Sequence, residues 1–249
     1  MNFKLIKSYA KINLSLGIIG RLKSGYHRIE SLISFLNLHD EIKIKKITSK
    51  NHKIQFFGKF SKGINKKNTI SELLKILDRK NILNNQKYLI KVKKNIPQKA
   101  GLGGGSMNAS AIIRFFISKK TLNFSKKNLI RLTRQIGLDV QLGINNKNKI
   151  LYSNGKLVTS TKKIRLFVII IKPKFGCSTK KIYGSVRSYS PKKLTIDNNH
   201  IENFYDEFLK FSCYKKNKVF INFRPEDVAY GGGNIFTYNI VNYLRNNNV

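Results

Sequence analysis

Residues 97–111, Pro-Gln-Lys-Ala-Gly-Leu-Gly-Gly-Gly-Ser-Met-Asn-Ala-Ser-Ala, constrain the fold of this chain more than any other stretch. Gly101, Gly103, Gly104 and Gly105 fall within five residues. Lys91-Val92-Lys93-Lys94 precedes them as a strand-like run, and a helical pattern begins at Asn108 and ends near Ser118. The order is therefore strand, glycine loop, helix. Glycine lets the backbone take positive φ and lets a ligand approach the main chain. The helix start behind it offers unpaired N–H groups and the positive end of the dipole. Together these make a phosphate site. The other reading, a plain flexible turn, leaves the Ser-x-Asn start and the Ala-rich helix without a use.

Two common owners of such loops are excluded. No G-x-x-x-x-G-K-[ST] occurs, since Ser106-Met107 follows Gly105. Counted from Gly101, the dinucleotide fingerprint needs glycine where Ser106 stands. The H-R-D and D-F-G elements of protein kinases are also absent.

Elsewhere the chain supplies groups for chemistry. Residues 8–19 alternate as a strand, with Ile12, Leu14, Leu16 and Ile18 on one face and Lys11 and Asn13 on the other. Such a polar pair either points into one cleft or is a solvated face. Residues 20–27 form a turn ending in Tyr26-His27, which can hold a flat ring or merely pack. Residues 28–35 have helix-like spacing, although a strand is also compatible, and residues 38–44 read as a turn into a strand. Residues 54–56 have weak β character, and 70–83 form an amphipathic helix. Residues 87–92 feed the loop as a strand, and 128–136 form a short helix. Gly137-Leu138-Asp139-Val140 follows, with a carboxylate in apolar company. It can orient or deprotonate a hydroxyl, or it can be an ordinary helix-end contact. Residues 149–158 read as a hairpin around Asn154-Gly155, and 166–171 as a buried strand. Residues 180–186 open a helix, 201–209 are amphipathic, and 239–245 form a last helix.

Composition bounds the partners. The chain of 249 residues has 49 basic and 12 acidic residues and a net charge of +37. Charge of that size suits nucleic acid or another polyanion. The lysines are scattered, however, and come with many Asn and Ile. That pattern fits drift in an AT-rich bacterial genome better than a dedicated nucleic-acid surface. Field-assisted capture of a small anionic substrate is a third reading. No apolar run reaches the roughly 20 residues of a membrane span, and motif-like sequence begins by Ser8, so no signal peptide is expected. Cys177 and Cys213 lie far apart and read as idle thiols in a reducing cytoplasm.

Three windows together resemble the galactokinase, homoserine kinase, mevalonate kinase and phosphomevalonate kinase (GHMP) superfamily. They are Ala10-Lys11-Ile12-Asn13-Leu14 with Gly20-Arg21 and Gly25-Tyr26-His27, Ile96-Pro97 through Ala109, and Gly137-Leu138-Asp139-Val140. Ser178-Thr179 with Tyr183 is a weaker fourth. The Gly-Tyr-His part points to members that act on a cytidine diphosphate-linked methylerythritol. The resemblance implies an α+β, two-lobed GHMP-kinase fold. Its N-terminal lobe, over 1–158, is of a type shared with a small-subunit ribosomal protein, and its short ferredoxin-like C-terminal lobe covers 159–249. It implies ATP-dependent phosphorylation of the 2-hydroxyl of 4-diphosphocytidyl-2-C-methyl-D-erythritol, feeding the non-mevalonate isoprenoid route, by a cytoplasmic enzyme that is a monomer or homodimer.

By position, the resemblance makes Asp139 the base or hydroxyl orienter and Lys11 its charged partner. Pro97, Gln98, Lys99, Ala100, Gly101, Leu102, Gly103, Gly104, Gly105, Ser106 and Met107 wrap the ATP phosphates. Asn13 contacts the substrate, Tyr26 and His27 hold the cytosine, and Tyr183 adds a second ring. Mg²⁺ bridges the phosphates, held in part by Ser106. The chain departs from the family pattern at Met107 (Ser), Leu138 (Ala) and Gln141 (Pro). Gly231-Gly232-Gly233 is the only candidate for the third superfamily motif. A sister small-molecule kinase and a basic relative that binds nucleic acid are the alternatives.

Overall fold

The computed structural model describes residues 2–160, 167–170, 183, 184, 186, 188, 189 and 219–221. The chain divides into two compact units. The first is Met1–Lys11 with Phe35–Asn146, and the second is Ile12–Ser34 with Lys147–Val249. Two long paired strands, β1 (Lys4–Arg21) and β2 (His27–Ile47), contribute to both.

In the first unit, β4 (Lys87–Lys93) runs antiparallel to β2, with Glu41 opposite Lys93 and Ile47 opposite Lys87. β3 (Lys53–Phe57) adds parallel to β4. Ile42 and Ile44 on β2 and Ile90 and Val92 on β4 are fully buried at alternate positions, as a one-sided strand requires. Helices cover that face. α1 (Thr69–Arg79) turns Ile70, Leu73, Leu74 and Leu77 inward, and α2 (Gly104–Ser118) adds Ala109, Ile112, Ile113 and Phe116. Burying each of the Leu, Ile and Phe side chains contributes about 1.5–3 kcal/mol. α3 (Lys126–Ile136) runs into a 3-10 helix, Leu138–Ile144.

In the second unit, residues 31–33 of β2 pair antiparallel with β5 (Lys149–Leu151), which pairs with β6 (Leu157–Thr159). Gly155 at φ +80° makes the expected hairpin turn. β7 (Phe167–Ile169) and β8 (Val219–Ile221) pair in parallel.

The α+β class holds, and three local expectations are corrected. Residues 28–44 form one continuous strand, with neither a helix nor a turn at 38–40. Residues 30–34 are all buried, so both faces of the strand are apolar or covered and period 2 is lost. α1 stops at Arg79 rather than near residue 83, because Asn81, Asn84 and Asn85 take left-handed backbone. α2 begins at Gly104 rather than Asn108. Glycine is a poor helix former, but a side chain at Gly104 would meet Ile96 Cγ2 at 3.2 Å and Lys94 Nζ at 3.3 Å. Close packing, not propensity, sets the helix start. Cys177, Cys213, Ser178-Thr179, Gly231–Gly233 and the helices expected at 201–209 and 239–245 lie outside the described residues.

Candidate active site

The glycine loop is anchored from below. Asp40 on β2 is fully buried and forms an ion pair with Lys94, itself 4% exposed. Its other oxygen accepts the backbone N–H groups of Asn95 and Ile96, each at 2.8 Å. A buried carboxylate must be paired in this way, since an unpaired one is too costly. The exit from β4 is thus fixed. Gln98 donates to the carbonyls of Phe60 (2.7 Å) and Lys62 (2.9 Å), tying the loop to the neighbouring basic segment. Lys99, Gly101 and Gly103 then take left-handed φ values of 53°, 71° and 67°. Three such residues in five reverse the chain and bring it to the start of α2.

Gly103 is the N-cap of α2 and has two reasons to be glycine. Its φ is left-handed, and an added Cβ would lie 2.8 Å from Lys11 Cγ. Lys11 N–H donates to Leu102 O at 3.1 Å, so β1 and the loop are stitched at that point. The first helical N–H groups, those of Gly104, Gly105 and Ser106, have no carbonyl one turn back to accept them. No side chain caps this end, and no acidic residue occupies its first turn. Thr69 donates to Gly105 O at 2.7 Å, linking the starts of α1 and α2.

Lys11 Nζ stands 3.5 Å from Asp139 Oδ2. The lysine side chain is 8% exposed and the carboxylate 46%. One partner is buried and the other is nearly half exposed. An ion pair this open contributes little to stability, so its geometry points to chemistry. Asp139 is the second residue of the 3-10 helix, which starts at Gly137 where α3 closes with Gly137 N–H on Thr133 O. Ser106 Oγ lies 4.0 Å from the position of a Cβ on Gly137, so the first turn of α2 borders the base of the Asp139 helix. Met107 is buried (2%), and its N–H is spent on Gly103 O at 2.8 Å. Its side chain packs toward Gly143 and offers the loop no polar group.

The structure therefore brings Lys11, Asp139 and the loop together in the first unit. The other expected site residues belong to the second. There the Ser31 hydroxyl lies 3.2 Å from Asn13 Oδ1 and 2.7 Å from Ser15 O. The turn before His27 is closed by Leu22 N–H on Tyr26 O (2.7 Å), and Gly25 has φ +83°. Tyr26 is left 65% exposed. His27 stacks on Tyr183, with centroids 5.2 Å apart and planes at 26°. These rings can sandwich or extend a third flat group. Sequence reasoning missed Asp40, Lys94, Thr69 and Ser110. The burial of Asp40 gives it its role, and burial is not written in a lone Asp beside His39.

Comparison with known proteins fits this geometry. The family model "GHMP kinases N terminal domain" matches residues 68–148. The chain is 49% identical over 221 residues to a 4-diphosphocytidyl-2-C-methyl-D-erythritol kinase of Pelagibacter ubique strain HTCC1062, covering 86% of this chain and 78% of that relative. It is 33% identical over 184 residues to the enzyme of the same name from Clostridium botulinum strain Langeland, covering 74% of this chain but only 65% of that relative. Among solved structures, a 4-(cytidine 5'-diphospho)-2C-methyl-D-erythritol kinase superposes with a TM-score of 0.57 at 22% identity, over 76% of this chain and 67% of the other. A homoserine kinase from Cytophaga hutchinsonii superposes at 0.51 and 17%, over 84% and 66%. The superpositions establish the fold, which is that of the GHMP kinases. The sequence match is narrower: the chain belongs to the 4-diphosphocytidyl-2-C-methyl-D-erythritol kinase family.

Proposed function

We propose that this chain transfers the γ-phosphate of ATP to the 2-hydroxyl of 4-diphosphocytidyl-2-C-methyl-D-erythritol, as a cytoplasmic small-molecule kinase. One observation carries the reading. The Lys11–Asp139 pair stands 3.5 Å apart, beside a left-handed glycine that starts an uncapped helix. Phosphoryl transfer needs positioning and charge neutralisation rather than elaborate covalent chemistry.

The residues fit a triphosphate. Backbone N–H groups of 104–106 donate to phosphate oxygens at the positive end of α2. Lys11 adds a fixed positive charge between the loop and Asp139. The exposed carboxylate of Asp139 accepts the hydroxyl proton, or orients that hydroxyl toward the γ-phosphorus. Among the described residues no group of three His, Cys, Asp or Glu could cage a metal. Mg²⁺ does not need one, since it keeps waters and phosphate oxygens and takes one or two protein oxygens. Ser106 is the residue that would hold it, and it would supply further neutralisation of phosphate charge. Asn13 would contact the methylerythritol, and Tyr26, His27 and Tyr183 the cytosine.

The test is ADP release with a panel of acceptors. The cytidyl substrate should be turned over with kcat/KM at least about 100-fold above homoserine or mevalonate, a margin that lost hydrogen bonds in a polar site can impose. Preference for either of the others would reassign the substrate, and no turnover with any would remove the kinase reading.

A further inference from the structure

We infer that Ser110 is a positioning residue for the proposed phosphoryl transfer, acting by clamping the Asp139-bearing 3-10 helix onto α2. The inference rests on the kinase reading above and adds to it the device that sets the Lys11–Asp139 geometry.

Ser110 lies on α2 one turn beyond the loop and is fully buried. Its Oγ is 2.5 Å from Val140 O, on the 3-10 helix next to Asp139, and 2.9 Å from Ser106 O in its own helix. A hydroxyl has one proton. The contact to Ser106 is the ordinary back-bond of a helical serine. The shorter contact crosses to the other element, so that is where the proton is best used. Around it the two elements interlock. A Cβ on Gly143 would lie 2.6 Å from both Ser110 Cβ and Ser110 Oγ, and 2.9 Å from Met107 Sδ. Arg114 donates to Gly143 O and, more weakly at 3.5 Å, to Lys7 O on β1. Met107, Ser110 and Arg114 are spaced i, i+3, i+7 and form one stripe of α2. That stripe holds the 3-10 helix by packing, by hydroxyl and by guanidinium.

The consequence is geometric. Lys11 is stitched to the loop through Leu102 O, and the loop is continuous with α2. Asp139 is held to α2 through its neighbour Val140. The same helix therefore sets both partners of the pair and carries the uncapped N–H groups of the loop. Met107 also acquires a use: the family's serine at this position is replaced by a side chain that packs against Gly143.

A double-mutant cycle tests this. Ser110→Ala should lower kcat about 10- to 100-fold, the size expected from misplacing a reacting group. The KM for ATP should stay within about twofold. In an Asp139→Asn background the same change should cost almost nothing more, because the group it positions is already gone. A merely structural role would lower activity alike in both backgrounds, and that result overturns the clamp. Gly143→Ala, which pushes on the clamp from the opposite side, should show the same background dependence if Ser110→Ala proves unfolded. Turnover by the unaltered chain that neither substitution changes overturns the clamp alone. No turnover by the unaltered chain overturns the clamp together with the kinase reading.

Discussion

Lys11 and Asp139 are unequal partners in exposure. The lysine side chain is buried against Gly103, whereas the carboxylate is nearly half exposed. In the role proposed for it, Asp139 is the base or the hydroxyl orienter, so Asp139→Asn should keep the shape and lower kcat by about 10²–10⁴ in steady-state assays. Lys11→Met should cost as much while also weakening ATP. Gly103→Ala puts a methyl group 2.8 Å from Lys11 Cγ at φ +67°. It should therefore damage nucleotide binding and the Lys11 position together, seen as a raised KM for ATP with a lowered kcat. At Asp40 the effect should be on stability. Asp40→Ala leaves Lys94 charged and buried, a loss of about 3–5 kcal/mol readable in urea unfolding. The types of Lys11 and Asp139 were legible from the sequence, because the strand alternation and the Gly-Leu-Asp-Val window singled them out. Ser110 and Asp40 were not, since their importance comes from what they are buried against.

At the scale of elements, the helices are fixed by their ends. Asn68 Oδ1 accepts the N–H groups of Ile70 (3.0 Å) and Ser71 (3.1 Å), while the Ser71 hydroxyl returns to Asn68 N–H at 2.8 Å. This capping box starts α1 and leaves Thr69 placed to hold Gly105. Asn68→Ala should cost about 1 kcal/mol of stability. The other end of α1 carries a pH-sensitive tie. Asp78 meets Lys87 at 2.8 Å and His52 at 3.2 Å, and His52 Nδ1 accepts Tyr88 N–H. The imidazole proton is thus on Nε2, facing Asp78. Burial pushes the Asp78 pKa up, but the hydrogen bonds from Lys87 and His52 and the charge of Lys87 outweigh it and hold it below its usual 3.8. A folded pKa below the unfolded one gives stability that is full above about pH 4 and lost as pH falls through the folded value. The stability difference between the native chain and Asp78→Asn should therefore be constant from pH 5 to about pH 7 and shrink below about pH 4. A difference that persists at low pH would contradict the tie. Element type was legible where one face alone was buried, as in α1 and β4. It failed in β2, where residues 30–34 are buried on both faces and the spacing imitates a helix, and at the start of α2, where close packing overrides glycine's weak propensity.

For the whole molecule, the charge of +37 belongs to partners rather than to fold. ATP and a cytidine diphosphate are both polyanions. Raising salt from about 50 to about 500 mM should lower kcat/KM for each while leaving kcat nearly unchanged, because screening acts on encounter. A flat kcat/KM would make the charge irrelevant to the reaction. No helix among the described residues is long and apolar enough to cross a membrane. The architecture became legible only when three separated windows were read together, because each alone fits a turn, a solvated strand or a helix end. The central claim is that Lys11, the glycine loop and Asp139, all in the first unit, make one phosphoryl-transfer site. A crystal structure with a non-hydrolysable ATP analogue tests it most directly. The β- and γ-phosphates should lie on the N–H groups of Gly104–Ser106, with Lys11 Nζ within hydrogen-bond reach of the γ-phosphate. Phosphates bound away from this helix start, or Lys11 turned from them, would contradict the account.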